Sequence, residues 1–139
     1  MPTFLKKHVK SQRAQSTVEF TFVAFFFFAL FFAVIEFSHL FYVRLTLQHA
    51  LKEAGRFMVT GQGGDVGARK KAIQGIFEKW LIGTGAGLQS FAMDPPDGGK
   101  AGDTVKLTAT FIKPWFTGFI PAGPITFSLS NTWKNEPFS

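Results

Sequence analysis

The sequence predicts an α+β protein: a long N-terminal helix able to cross a membrane, then a small domain with a second helix and an antiparallel sheet of two or three strands. Three observations predict it. Residues 20–43 form an apolar run in which 20–35 carries only Thr21 as a polar residue. Residues 65–82 repeat their apolar positions at helical spacing. The segments around 105–111 and 125–133 alternate apolar with polar residues. A helix crossing the hydrocarbon core needs about 20 apolar residues. Helical faces recur every three to four positions and strand faces every two.

At 139 residues the chain has room for that helix and one small domain. The expected organisation is a basic leader over 1–14, a long helix over 15–61 with its span at about 20–43, and a small extracytoplasmic domain over 62–139. The formal net charge is +6, and Lys6, Lys7, Lys10 and Arg13 supply four positive charges with no acid among them. Positive charge flanking an apolar span marks its cytoplasmic end, so the N-terminus is expected inside and the domain outside. Charge gathered in a leader argues against a nucleic-acid partner. There is no cysteine, hence no disulfide. An ordinary secretory signal has an apolar region of roughly 7–15 residues followed by a small-residue cleavage site. Here the run is longer, and the small residue, Ala14, precedes it.

Two carboxylates, Glu19 and Glu36, border the most apolar part of the run. An uncompensated acid in a span costs about 3 kcal/mol or more. Ser16 and Glu19 have the spacing of a capping box, which would start the helix there. Glu36 has His39 at i+3, so it reads either as a hydrogen-bonded or snorkelling acid or as a polar contact between packed helices. Phe20, beside Glu19, opens the apolar face that such packing would use.

Beyond Tyr42 the helix becomes two-faced. Leu47, Leu51, Ala54 and Met58 form an apolar stripe, with Arg44, Gln48, Lys52 and Arg56 along a polar side. Glu53 is expected to pair locally with His49 and Arg56. Gly61, Gly63 and Gly64 end the helix. A second helix is expected from Asp65, a candidate cap, to about Ile82, with Ile73, Ile76, Phe77, Trp80 and Leu81 on one face. Arg69, Lys70 and Lys71 read as a solvated helix start.

Residues 83–88, G-T-G-A-G-L, lack the G-x-G-x-x-G spacing and read as a loop. Asp94, Asp97 and Asp103 lack the EF-hand spacing, and the Pro-Pro and Gly-Gly around them are turn chemistry. Two strands follow. Val105, Leu107, Ala109 and Phe111 face one way; Ile125, Phe127 and Leu129 do the same, with Trp133 in phase. Residues 88–93 offer a shorter third strand. Between the main strands, 113–124 is too long for a tight hairpin and too apolar for an ordinary loop. Its Trp115, Phe116, Phe119 and Ile120 either fold back over the sheet or form a partner-binding tip. His8, His39 and His49 fall in the leader, the span and the polar helix face. With no Ser/His/Asp set, metal-ligand cluster or phosphate loop, neither an enzyme nor a cofactor is expected.

The run R-A-Q-S-T-V-E-F-T, the phenylalanine-rich stretch after it and E-F-S-H-L-F-Y resemble the TadE-like proteins of bacterial Flp/Tad pilus assembly. A-L-K-E-A-G-R-F resembles that family's A-x-x-E-G-A-R-Y with Ala54 and Gly55 in swapped order, and P-I-T-F-S-L-S-N-T-W-K-N-E resembles its closing strand. In the family, a prepilin peptidase cuts after a small leader residue, usually Gly, and Glu is fifth in the mature chain. The resemblance implies Ala14 as the last leader residue, Gln15 as the new N-terminus and Glu19 as the fifth position. The freed amine of Gln15 would then neutralise Glu19 of its own chain or of a neighbour.

The function so implied is a pseudopilin or minor pilin of a Flp/Tad, type IVb-like pilus. It would sit in the inner membrane by a single span and enter an extracellular pilus on assembly. Its partners would be other pilins, the assembly platform and the prepilin peptidase. Ala14 stands where the family usually has Gly. That departure supports a rival reading, an uncleaved inner-membrane scaffold of the same machine.

Overall fold

The computed structural model describes residues 3–61, 64–118 and 120–136, with side chains from Ala14 onward. The chain divides into two compact units, Met1–Phe37 and Ser38–Ser139, and the boundary falls inside the first helix.

Helix α1 spans Thr3–Val59. Neither Gly nor Pro occurs between residues 3 and 54, so nothing in the sequence interrupts the hydrogen-bond ladder. The helix therefore starts well before Gln15. Ser16 lies inside it and is not its cap, a correction to the capping-box reading. The S-x-x-E spacing is a local pattern, and it marks a start only when the residues before it are poor helix formers. Here Leu5, Lys6, Lys7, Lys10, Gln12, Arg13 and Ala14 are good ones. At the other end, Thr60 N–H donates to the Arg56 carbonyl at 3.2 Å. Gly61 then takes φ 68°, the left-handed conformation that closes helices at glycine. Gly63 lies outside the described residues.

In the second unit, the stretch of α1 from Val43 to Val59 supplies one wall of the core. Val43, Leu47, Ala50, Leu51, Ala54 and Met58 are buried, and Arg44, Lys52 and Arg56 are exposed on the far side. The expected stripe is the core face. Helix α2 spans Val66–Leu81, and the Asp65 side chain accepts from Gly67 N–H at 3.1 Å, capping it as expected. Ile73 and Phe77 are fully buried, with Ile76, Trp80 and Leu81 packed at the margin.

Three strands, β1 (Gly87–Asp94), β2 (Thr104–Lys113) and β3 (Ile125–Lys134), form one antiparallel sheet in chain order. Central β2 buries Val105, Leu107, Ala109 and Phe111 completely. Its neighbours bring Phe91 opposite Ala109, Met93 opposite Leu107, and Phe127 opposite Phe111. A shift of register between Leu88 and Ser90 kinks the start of β1. The Phe77 ring meets Phe111 edge-on at 5.5 Å and Phe91 at 5.9 Å, so α2 keys into the two strands it covers.

Two expectations are corrected by contacts distant in sequence. Arg69 is buried rather than solvated, and its Nη1 donates to the Asp97 carbonyl at 3.4 Å; Lys70 and Lys71 are exposed. Glu53 takes its partners from α2: it accepts from the Trp80 indole N–H and lies 4.0 Å from Lys79 Nζ. The polar loop over 94–103 is closed by its own carboxylates, with Gly99 N–H donating to Asp97 at 3.1 Å and Lys100 N–H to Asp103 at 2.8 Å.

Candidate processing and helix-packing site

The peptide bond between Ala14 and Gln15 joins two exposed residues in the interior of α1. Gln15 Nε2 donates to Glu19 Oε1 at 3.0 Å, one turn along the helix. Glu19 is exposed. Residue 15 and the Glu19 carboxylate are therefore already neighbours before any cut, because an i, i+4 pair shares a helix face. Thr21 is satisfied locally, its hydroxyl donating to the Thr17 carbonyl at 2.8 Å.

From Phe20, itself 72% exposed, the helix is apolar on every side. Phe25, Phe26, Phe27 and Phe28 advance by about 100° each, so four consecutive residues circle the axis. All four are more than half exposed. Their rings touch one another, Phe25 with Phe26 at 5.6 Å and Phe27 with Phe31 at 6.3 Å. A helix apolar all round belongs in a lipid bilayer or among other helices. The segment within Ala14–Val59 is long and apolar enough to cross a membrane. Glu36, by contrast with Glu19, is buried, 1% exposed. The two carboxylates thus stand in opposite environments.

The β2–β3 connection resolves into separate roles. Trp115 is half-buried, and its indole N–H donates to the Gly123 carbonyl at 3.0 Å, tying the two ends of the loop together. Phe116 is 61% exposed, and its ring lies 4.4 Å from that of His39 on α1. His39 in turn stacks on Tyr42 at 6.4 Å. Ile120 is half-buried, and Phe119 lies outside the described residues. The pairing of His39 with Phe116 had no signal in the sequence, since the two lie far apart along the chain.

An open groove of about 630 Å³ lies between α1 and α2, lined by His49, Lys52, Glu53, Arg56 and Trp80 among others. His49 stacks on Trp80 at 6.2 Å there. Among the described residues, no three His, Asp or Glu side chains come together as a metal site.

Residues 14–56 match the family model described as TadE-like protein. This segment is TadE-like. The match begins at Ala14, takes in Glu19, the phenylalanine-rich stretch and Glu36, and ends at Arg56, one residue past Gly55. It leaves α2 and the sheet uncovered. Comparison with curated proteins and with solved structures gave no match. The TadE-like segment supports a pilin-like protein associated with a Tad pilus, and with the apolar helix it fits a membrane location.

Proposed function

We propose that the chain is a pseudopilin or minor pilin of a Flp/Tad, type IVb-like pilus. In this reading it is held in the inner membrane with its N-terminus in the cytoplasm and its domain, 62–139, outside. A prepilin peptidase cuts between Ala14 and Gln15, and the mature subunit packs on other pilins through the helix that begins at Phe20. The observation that carries this reading is the exposed Glu19 at the threshold of a helix with no apolar cover on any side. In a bilayer that surface meets acyl chains; in a filament it meets the same surface of neighbours, and neither state exposes it to water.

Glu19 would meet an N-terminal amine in the assembled bundle. Glu36, being buried, is the weaker candidate for contact between subunits. The domain favours a minor or initiating position over the bulk of the fibre, since the major pilins of such systems are much shorter. Cleavage inside a helix requires the backbone around Ala14 to open locally, with the turns from Thr3 to Arg13 released from the helix.

The rival scaffold reading draws on Ala14 in place of Gly and on the unbroken helix through the cut site. Mass spectrometry of the native subunit from membranes and from sheared filaments separates the two. A chain starting at Gln15 supports the pilin; an intact leader in every fraction supports the scaffold.

A further inference from the structure

Resting on the membrane reading of α1, we infer that the β2–β3 loop is a second membrane contact, with Phe116 and Ile120 seated in the headgroup and upper acyl region of the bilayer that α1 crosses. Its depth follows from the helix. A hydrocarbon core takes about 20 helical residues at roughly 1.5 Å each. Counted from Phe20, that length runs past Glu36 to His39, in the outer part of the span expected over 20–43. His39 is the residue on which the Phe116 ring rests, at 4.4 Å. The loop therefore meets α1 in the outer turns of that span, toward the membrane interface. Phe41 and Tyr42, both mostly exposed, lie on the next turn and complete an aromatic collar of the kind found at membrane interfaces.

The loop is chemically suited to that position. Trp115 satisfies its indole N–H on the Gly123 carbonyl, so burying its ring leaves no unmet donor. Pro114, Pro121 and Pro124 limit the conformations the loop must give up on binding. No Asp or Glu occurs from 104 to 135, so the loop carries nothing that anionic headgroups would repel. An exposed Phe on such a loop is accounted for by lipid. Contact with a second copy of the chain is the competing occupant.

The chain has no native cysteine, so single probes can be placed freely. Phe31→Cys, Phe116→Cys, Ile120→Cys and Ser128→Cys in the full chain would each carry an environment-sensitive fluorophore. They would be reconstituted in phosphatidylcholine–phosphatidylglycerol vesicles containing brominated acyl chains. Probes at 31, 116 and 120 should be quenched and blue-shifted, and the probe at 128, on the exposed sheet face, should not. Quenching at 31 with 116 and 120 as unquenched as 128 overturns the loop contact and leaves the span standing. A blue shift at 116 and 120 that appears only at high protein-to-lipid ratio, without bromine quenching, overturns it in favour of contact between copies. No quenching at 31 overturns the membrane reading and this inference with it.

Discussion

The indole of Trp133 on β3 occupies the space that a side chain at residue 55 of α1 would need, so Gly55 leaves room for that ring. Ala54 beside it is fully buried, and Trp133 pairs with Val105 in the sheet. The small pair Ala54 and Gly55 thus admits the Trp133 ring against the helix, which gives the end of the TadE-like segment a physical role.

Enlarging residue 55 should therefore destabilise the domain, and shrinking Trp133 should reverse the effect. Overpacking costs about 1–3 kcal/mol. Removing a helical Gly returns up to about 1 kcal/mol. Gly55→Leu alone should lower the denaturant midpoint of the solubilised chain. In a Trp133→Ala background the same change should raise it. Additive effects in this double-mutant cycle would show that the two residues do not constrain each other.

The polar loop over 94–103 is clasped from two sides. Asn135, 3% exposed, donates from Nδ2 to the Gly98 carbonyl at 2.8 Å and the Lys100 carbonyl at 3.0 Å. Arg69 reaches the Asp97 carbonyl by a single 3.4 Å bond. Asn135→Ala should cost about 1–3 kcal/mol, because it leaves two carbonyls without their donor. Arg69→Met, which keeps the buried stem and loses one long bond, should cost less. Hydrogen exchange over 97–103 should speed up in the first variant and change little in the second.

Glu53 offers a third test, because its two partners differ in kind. Its contact with Lys79 is a 4.0 Å pair in which Lys79 is largely exposed and Glu53 partly so, the sort of pair that contributes little. The bond from the Trp80 indole is partly buried. Glu53→Gln, which keeps an acceptor, should leave the unfolding midpoint nearly unchanged. Glu53→Ala should lower stability by about 1–2 kcal/mol, within the range for a hydrogen bond to a charged group. Equal losses in the two variants would assign the stabilisation to charge.

Those three sites mark the limit of what sequence pattern discloses. The strands of 105–111 and 125–133, the Asp65 cap and the stripe from Leu47 to Met58 were legible, because each is a local periodicity or a local hydrogen bond. Asn135 holding Gly98, Arg69 holding Asp97 and Trp80 choosing Glu53 were not, because each joins residues 27 to 37 positions apart through side chains that carry no periodic mark. The start of α1 was misread for the converse reason: a valid local motif sat within a longer helix-forming stretch. At the candidate site, Glu19 and the apolar run were readable from composition alone. The seat of Phe116 on His39 needed the fold.

Glu19 carries the functional reading, and its environment allows its role to be separated from a structural one. It directly precedes the apolar run that begins at Phe20 and, among the contacts described, bonds within its own helix turn to Gln15. Glu19→Ala should therefore leave α1 folded and inserted, with unchanged membrane recovery and protease protection. Gln15→Ala removes the side-chain donor and keeps the backbone nitrogen that cleavage would turn into an amine, so it should support assembly. If the carboxylate is shared with a neighbour's amine, Glu19→Ala should strip filaments from cells carrying a normally cleaved subunit, whereas Gln15→Ala should not. A hydrogen bond to a charged group contributes about 1.5–3 kcal/mol, so leaving the amine without its acid should reduce incorporation by roughly ten- to a hundredfold per subunit. Normal piliation with Glu19→Ala, alongside wild-type cleavage and insertion, would remove the carboxylate from assembly and leave the apolar surface alone to explain packing.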